Sequence, residues 1–297
     1  MQKTVRVVEI GGSGPRRGDV CGSEVYNFQM TQKGEITTLA QLFGFAGSSL
    51  ASTTDGYVFV VAGDILDDVV TTPQIPWLNK VNLVKHARAI FGDRVIVAND
   101  MDVAVLGMAE LLGNPSDVMG ITLSSGIGMR VLKDGKIVSP CEAGHINLDP
   151  SPFAPLCGCG LRGCVESICS GDAAERRVIA DIGIRGIEIP NGIRPCAFLD
   201  SEFDKGERWA TDIYSMVSNG LGTFLATLLT LYRPQLVVWK GTFATHALPR
   251  LEASIRENMR KKLMVPEWEK GMKFVFSPNS INDALIGAWV LFKQIYK

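Results

Sequence analysis

Short runs of β-branched and aliphatic residues alternate along this chain with stretches of helical periodicity, and that alternation predicts an α/β protein. Val5 to Ile10 reads as a strand that runs into Gly11-Gly12-Ser13-Gly14-Pro15. Val25 to Met30 alternates as a second strand would, and Tyr57 to Ala62 reads as a buried strand. Asn82 to Phe91 has a helical pattern and leads into another buried strand at Arg94 to Ala98. After Asn99-Asp100, Val105, Met108, Leu111 and Leu112 share one face of a helix running from Met101 to Leu112. Met119 to Leu123 and Met129 to Leu132 read as strands around the turn Ser124-Ser125-Gly126-Ile127-Gly128, and Lys133-Asp134-Gly135-Lys136 as a hairpin turn.

From Glu142 to Ser170 the pattern breaks down into a glycine- and cysteine-rich stretch with little room for regular structure. Helices are then expected at Asp172 to Ala180, Ala210 to Tyr232, Leu248 to Leu263 and Asp283 to Tyr296, with strands at Gln235 to Trp239 and Lys273 to Ser277. No internal repeat, low-complexity tract or long linker is visible. Two lobes are expected: a small α/β domain of residues 1–98 plus 284–297, and a large one of residues 99–283.

Composition narrows the function classes. The 297 residues are 46% hydrophobic, enough to bury substantial cores. Thirty basic residues against 31 acidic ones give no cationic excess for nucleic acid or an anionic membrane. The first residues lack the apolar region of a signal peptide. The most apolar stretch, Leu221 to Val238, is interrupted by Gly222, Arg233, Pro234 and Gln235, so it reads as a core helix and strand and not as a membrane span. The expected compartment is the cytoplasm, where the seven cysteines stay reduced and clustered ones are metal ligands more often than disulfides.

Cys157, Cys159 and Cys164 fall within eight residues, separated by glycines that let the backbone fold tightly. A fourth ligand closes a tetrahedron, and His145 lies twelve residues upstream of Cys157. Three thiolates and an imidazole make a closed, structural zinc site. The alternative is a reduced cysteine cluster near a core histidine. Cys21, Cys141, Cys169 and Cys196 lack such spacing, although Cys141 and Cys169 are near enough in sequence to be spare candidates.

Glu142-Ala143-Gly144-His145, then Cys157-Gly158-Cys159-Gly160 through Gly163-Cys164-Val165-Glu166 and on to Ser170-Gly171, resembles the E-x-G-H and C-x-C-G-x-x-G-C-x-E motifs of the ROK family (repressor, open reading frame, kinase), which groups bacterial sugar kinases with sugar-responsive repressors. Asn99-Asp100 resembles the family's E-N-D, and Ile121 to Gly128 its L-T-L-G-T-G-I-G. Ala62-Gly63, Thr72 to Trp77 and Ala284 to Ala288 resemble further family stretches, so the likeness spans most of the chain. It implies a two-lobed actin/hexokinase-like (ribonuclease H-like) fold that takes a sugar and a nucleotide, with ATP and magnesium beside the zinc, and a homodimer or homotetramer.

Asp100 follows a buried strand at a helix start, where a carboxylate serves equally as helix cap or as general base. The resemblance implies the base. It also implies that Asn99, Asp100, Glu142, His145 and Glu166 hold the sugar hydroxyls. Glu9-Ile10-Gly11-Gly12-Ser13 resembles the first phosphate loop, D-I-G-G-T; Ser125 and Gly126 lie in the second loop and Gly241 in the adenosine-side glycine run. Arg16 and Arg17 either neutralise phosphate or are solvated.

The departures all fall on the nucleotide side: Glu9 for aspartate, Ser124-Ser125 for G-T, Lys240-Gly241-Thr242 for G-G-G, and a segment from Thr37 to Tyr57 shorter than the family's first helix needs. The implied activity is ATP-dependent phosphorylation of a hexose or amino sugar. The alternative is a sugar-binding ROK protein with lost or weakened kinase activity. A ROK repressor carries a DNA-binding helix-turn-helix ahead of its sugar-binding part, and this chain begins almost at its first strand, so no nucleic-acid partner is expected.

Overall fold

The computed structural model describes residues 3–11, 14–47, 54–72, 74–139 and 142–296. In chain order its elements are β1 (Val5–Ile10), β2 (Arg16–Cys21), β3 (Glu24–Met30), α1 (Leu39–Gly47), β4 (Gly56–Val61), β5 (Asp64–Leu66), β6 (Val69–Thr71), β7 (Val81–Asn82), α2 (Leu83–Phe91), β8 (Val95–Asn99) and α3 (Asp100–Leu111). They continue as β9 (Asp117–Leu123), β10 (Ile127–Lys133), β11 (Lys136–Ser139), α4 (Val165–Cys169), α5 (Gly171–Arg185), α6 (Pro195–Asp204), α7 (Arg208–Tyr232), β12 (Leu236–Lys240), α8 (Thr242–Arg260), β13 (Lys273–Phe276) and α9 (Asp283–Ile295). The mixed α/β class is as expected.

The chain groups into two compact units, one of residues 1–116, 132–138 and 277–297, the other of residues 117–131 and 139–276. The first crossing falls after Ser116 and not near Ala98, because α3 packs along α9. The approach is close: a Cβ on Gly107 would overlap the Asp283 carbonyl, and one on Gly287 that of Val103.

The first unit holds a sheet in the order β3-β2-β1-β4-β8, with β1 antiparallel to β2 and parallel to β4. Val8, Ile10, Phe43, Phe59, Leu78 and Leu83 build its core. The second unit holds a sheet in the order β11-β10-β9-β12-β13, with β12 parallel to both β9 and β13. Its core gathers Ile121, Leu221, Phe224, Trp239, Phe243 and Leu251. Numbered within each sheet, both orders are third-second-first-fourth-fifth. The topology therefore repeats although no sequence repeat is visible.

Several elements were not expected. The strand β2 has the sequence RRGDVC, which reads as a loop, yet Arg17 and Asp19 are buried. Asp19 takes hydrogen bonds from Arg6 Nε (2.7 Å) and Nη2 (2.9 Å) and from Asn27 Nδ2 (2.8 Å), so burial is compatible with the charge. The strand read as second is thus the third. The small sheet β5-β6-β7 and helix α6 went unread. The segment judged short does carry a nine-residue helix, α1. Helix α8 begins at Thr242, ahead of the expected Leu248, and keeps Pro249 inside it. Among the described residues no helix is long and apolar enough to cross a membrane.

Candidate active site

The cysteine-rich segment is shaped by short-range backbone bonds. A turn closes from Gly160 N–H to the Cys157 carbonyl (3.0 Å) and is backed by Cys157 N–H to the Leu161 carbonyl (2.8 Å). Gly160 sits at φ +90°, a left-handed conformation that a side chain would strain. The stretch is less irregular than expected: a 3-10 turn at Ala143–His145 presents His145, and Cys164 caps α4.

The four expected ligands converge. His145 Nδ1 lies 3.5 Å from Cys157 Sγ, and Cys159 Sγ lies 3.7 Å from Cys164 Sγ. All four donor atoms lie within 4.8 Å of one another. Zinc bonds of about 2.3 Å to sulfur and about 2.0 Å to nitrogen place tetrahedral sulfurs about 3.8 Å apart, and a sulfur and nitrogen about 3.5 Å apart. The donor set fits that ion. Burial pushes the Cys164 thiol up to about 12, helped by the neighbouring Cys159 and Cys157, and burial also raises Cys157. Cys159 is lowered, chiefly by the Leu161 N–H. A divalent cation supplies the charge that lets all three ionise together. Cys169 is buried and outside the cluster, and Cys141 lies outside the described residues.

Glu166 stands in the first turn of α4, two residues past the last cysteine. Its Oε2 accepts the Ile127 N–H at 3.0 Å, and its carboxylate lies against Gly126, where a Cβ would collide with it. Its Oε1 is 3.8 Å from Cys157 Sγ. The metal-type segment and the second loop are therefore joined through one side chain. Glu142 is more open, its side chain 66% exposed and 3.8 Å from Arg130 Nη2.

In the first unit, Asn99 is the cap of α3. Its Oδ1 accepts from Met101 N–H (2.8 Å) and Asp102 N–H (3.2 Å), and its Nδ2 donates to the Gly63 carbonyl (2.8 Å). Asp100 follows, half-buried, with Oδ1 also accepting from Met101 N–H at 2.8 Å. Of the first phosphate loop, Gly11 is described, whereas Gly12 and Ser13 lie outside the described residues. Glu9, before that loop, is paired: its Oε2 accepts from Arg16 Nε (2.9 Å) and Nη2 (2.6 Å). Arg17 is buried, donates to Gln29 Oε1 and lies over the Phe45 ring, so neither the phosphate nor the solvated reading fits it.

The second loop, the start of α5 and the turn from β12 to α8 meet in the second unit. Gly171 N–H donates to the Ser124 carbonyl (2.7 Å), and Ser124 Oγ is 3.5 Å from Thr242 Oγ1. Gly241, at φ +105°, packs so closely on the Leu123 carbonyl that a Cβ would not fit. No side chain caps α8 at Gly241, and uncapped amides at a helix start attract anions. Lys240 ends β12. These parts border a cavity of about 440 Å³, whose lining includes Ser124, Ser125, Thr242, Phe243, Asp200 and His246. Ser125 is where the sequence placed it. Asp200 and His246 were missed, because α6 went unread and His246 precedes the expected start of α8.

Comparisons with known proteins bear on the family and the fold. The profile of the ROK family matches residues 33–295. A glucokinase of Thermotoga maritima is 25% identical over 237 residues, 75% of this chain and 73% of that protein. An N-acetylmannosamine kinase of Vibrio cholerae is 42% identical over 86 residues, 28% of this chain and 30% of that protein. The crystal structure of a ROK family glucokinase from Streptomyces griseus, in complex with glucose and AMPPNP, matches with a TM-score of 0.75 at 24% identity, over 98% of this chain and 99% of that one. A ROK family transcriptional regulator, a homologue of the E. coli MLC protein, matches with a TM-score of 0.83 at 21% identity, over 100% of this chain and 79% of that one. At these identities the two structures establish a shared fold alone.

Proposed function

The chain belongs to the ROK family, and from that premise we propose that it is a sugar kinase, transferring the terminal phosphoryl group of ATP to a hydroxyl of a hexose or amino sugar. The observation that carries this reading is the Glu166 carboxylate. It belongs to the segment that gathers His145 and the three cysteines, and it grips the loop that borders the nucleotide-sized cavity. The glucokinase match over 75% of the chain points to a hexose, and the shorter N-acetylmannosamine kinase match keeps amino sugars in the class.

In this reading Asn99, Asp100, Glu142, His145 and Glu166 hold the sugar hydroxyls. Asp100 accepts the proton of the attacking hydroxyl as its oxygen bonds to the terminal phosphorus and the bond to the departing ADP oxygen breaks. Asn99 already caps α3 through two hydrogen bonds, which supports the base reading of Asp100 over the cap reading. Gly11, Gly12, Ser13, Ser125, Gly126 and Gly241 belong to the phosphate and nucleotide side. His145 Nδ1 and the sulfurs of Cys157, Cys159 and Cys164 would hold zinc, which supplies structure and no open catalytic position. Magnesium arrives with the nucleotide phosphates and needs few protein ligands. Glu9 fits that task through Oε1, which accepts no hydrogen bond among the described residues. A cytoplasmic homodimer or homotetramer completes the proposal.

One observation favours a second reading, a sugar-binding protein with weakened kinase activity. The Arg16 guanidinium neutralises Glu9 at the first phosphate loop. An ADP-release assay over a panel of hexoses and N-acetylated amino sugars, run beside calorimetric sugar titrations, separates the two. Turnover on a panel sugar is expected. Sugar binding without turnover from any nucleotide or polyphosphate overturns the kinase reading and leaves the second.

A further inference from the structure

Helix α6 starts at Pro195, whose fixed φ suits a first turn, and buries Phe198 and Leu199 in the core of the second unit. Asp200 follows and is dragged inward with them, to 8% exposure. A carboxylate that deep is tolerated only where partners satisfy it. Its Oδ1 has them: it accepts a hydrogen bond from the Tyr214 hydroxyl and lies 3.6 Å from Arg250 Nη1. Burial, and then the Asp200 charge, hold the Tyr214 hydroxyl well above the usual tyrosine range, so it remains a donor. Arg250 donates to Asp204 through Nε (2.8 Å) and Nη2 (2.6 Å) and to the His246 carbonyl through Nη1 (2.7 Å).

The other oxygen is left over. Asp200 Oδ2 accepts no hydrogen bond among the described residues, and it lies 3.9 Å from His246 Nδ1. Asp200 and His246 both line the cavity of about 440 Å³. Ser124, Ser125 and Thr242 line it too, and they surround the uncapped start of α8. His246 is four residues, one turn or about 6 Å, further along α8 from Thr242. A ligand with its phosphates at the α8 start extends its other end toward His246 and Asp200. That end meets a carboxylate oxygen of a buried residue, facing the cavity, able to accept and unable to donate.

We propose that Asp200 is the base-reading residue of the phosphoryl-donor site, and that it selects a purine nucleotide carrying an exocyclic 6-amino group over one carrying a 6-oxo group. The proposal rests on the sugar-kinase reading. Adenine offers an amino N–H to Oδ2. Hypoxanthine and guanine present a carbonyl oxygen at the same position, where two acceptors face each other, and carry their ring proton one atom away, on N1. A polar mismatch of this kind discriminates more strongly than a change of size, because acceptor is left opposite acceptor.

The test compares ATP with ITP, which differ in the 6-substituent and in the proton that the 6-oxo base carries on N1. In the unmodified protein kcat/KM is expected to favour ATP at least 30-fold. Asp200→Asn, whose amide can donate, should lower kcat/KM for ATP about tenfold and shrink or invert the ATP/ITP ratio. Tyr214→Phe keeps the carboxylate and should keep the preference for ATP. Calorimetric titration of ADP and IDP into the unmodified protein provides a readout that needs no turnover and no variant. A preference for ADP of tenfold or more supports the role of Asp200 even where no sugar is phosphorylated, in which case the kinase reading alone fails. ATP and ITP used within threefold of each other, ADP and IDP bound equally or not at all, or an Asp200→Asn variant that loses both nucleotides in proportion would each overturn it.

Discussion

The two units are built on the same sheet order and use their first hairpin in opposite ways. In the first unit the charged residues of β1 and β2 satisfy one another: Arg6 with Asp19 in the core, and Glu9 with Arg16 at the loop end. In the second unit the loop from β9 to β10 is held by Glu166 from outside the sheet, and the polar groups around it border a cavity. One hairpin closes its charges on itself, and the other keeps its donors and acceptors for something else. The contrast shows that one strand order can carry two polar environments. What differs is whether the polar side chains find partners within their own sheet.

The largest expected effect comes from Asp100, the one residue of the first unit to which the proposed chemistry assigns a proton. Asp100→Asn should lower kcat by about 10²–10⁴, the range of a positioned general base, while sugar affinity measured by calorimetry stays within a few-fold. Turnover that survives the change would remove Asp100 from that role.

The buried pair comes next. Burial alone would raise the Asp19 carboxyl, but hydrogen bonds from Arg6 and Asn27 outweigh it and hold it below the usual range. A depressed carboxyl contributes stability above its unfolded value of about 3.9, and that contribution is lost as the pH falls through the folded value. Asp19→Asn leaves Arg6 charged and buried, which costs about 3–5 kcal/mol. Thermal unfolding should show a large drop in Tm at pH 7 that narrows in acid, where the unmodified protein loses the same contribution. A drop of equal size at every pH would mean that the charge is not what stabilises the hairpin.

In the second unit the corresponding test is the metal. Metal analysis should find about one zinc per chain, bound by His145, Cys157, Cys159 and Cys164. Cys159→Ser should lower metal affinity about 10–100-fold, the cost of losing a ligand or a group that orients one, and weaken sugar binding with it. A zinc-free variant with unchanged sugar affinity would break the link between the clamp and the groups it aims.

The same contrast explains what could be read without the structure. The cluster of His145 and the three cysteines in the second unit was legible because glycine and cysteine at tight spacing leave few alternatives. The strands β1, β4, β8 and β12 were legible because each is dominated by β-branched and aromatic residues. Strand β2 was not, since two of its four buried residues, Arg17 and Asp19, are charged, and burial of charges satisfied by polar partners has no hydrophobic signature. Asp200 was hidden for a related reason: an aspartate in a short helix after an arginine and a proline reads as surface, and only the Tyr214 hydroxyl from α7, fourteen residues on, shows where its carboxylate goes. Gly107 and Gly287 likewise carry no local sign that α3 and α9 meet there.

The smallest effect is the one that bears most directly on the first hairpin. The Glu9 and Arg16 side chains are 19% and 17% exposed, so their pairing is only partly screened by water. Arg16 competes with any cation for the same carboxylate. Arg16→Gln removes that competitor and leaves Glu9 with its full charge. Because the pair is near the surface it is worth about 1 kcal/mol or less, and the magnesium concentration giving half-maximal turnover should fall by no more than about fivefold. Maximal turnover and sugar affinity should hardly move. A magnesium requirement that is unchanged, or higher, would show that Glu9 does not serve the cation, and that the pair at the first loop is structural in the way the Arg6–Asp19 pair is.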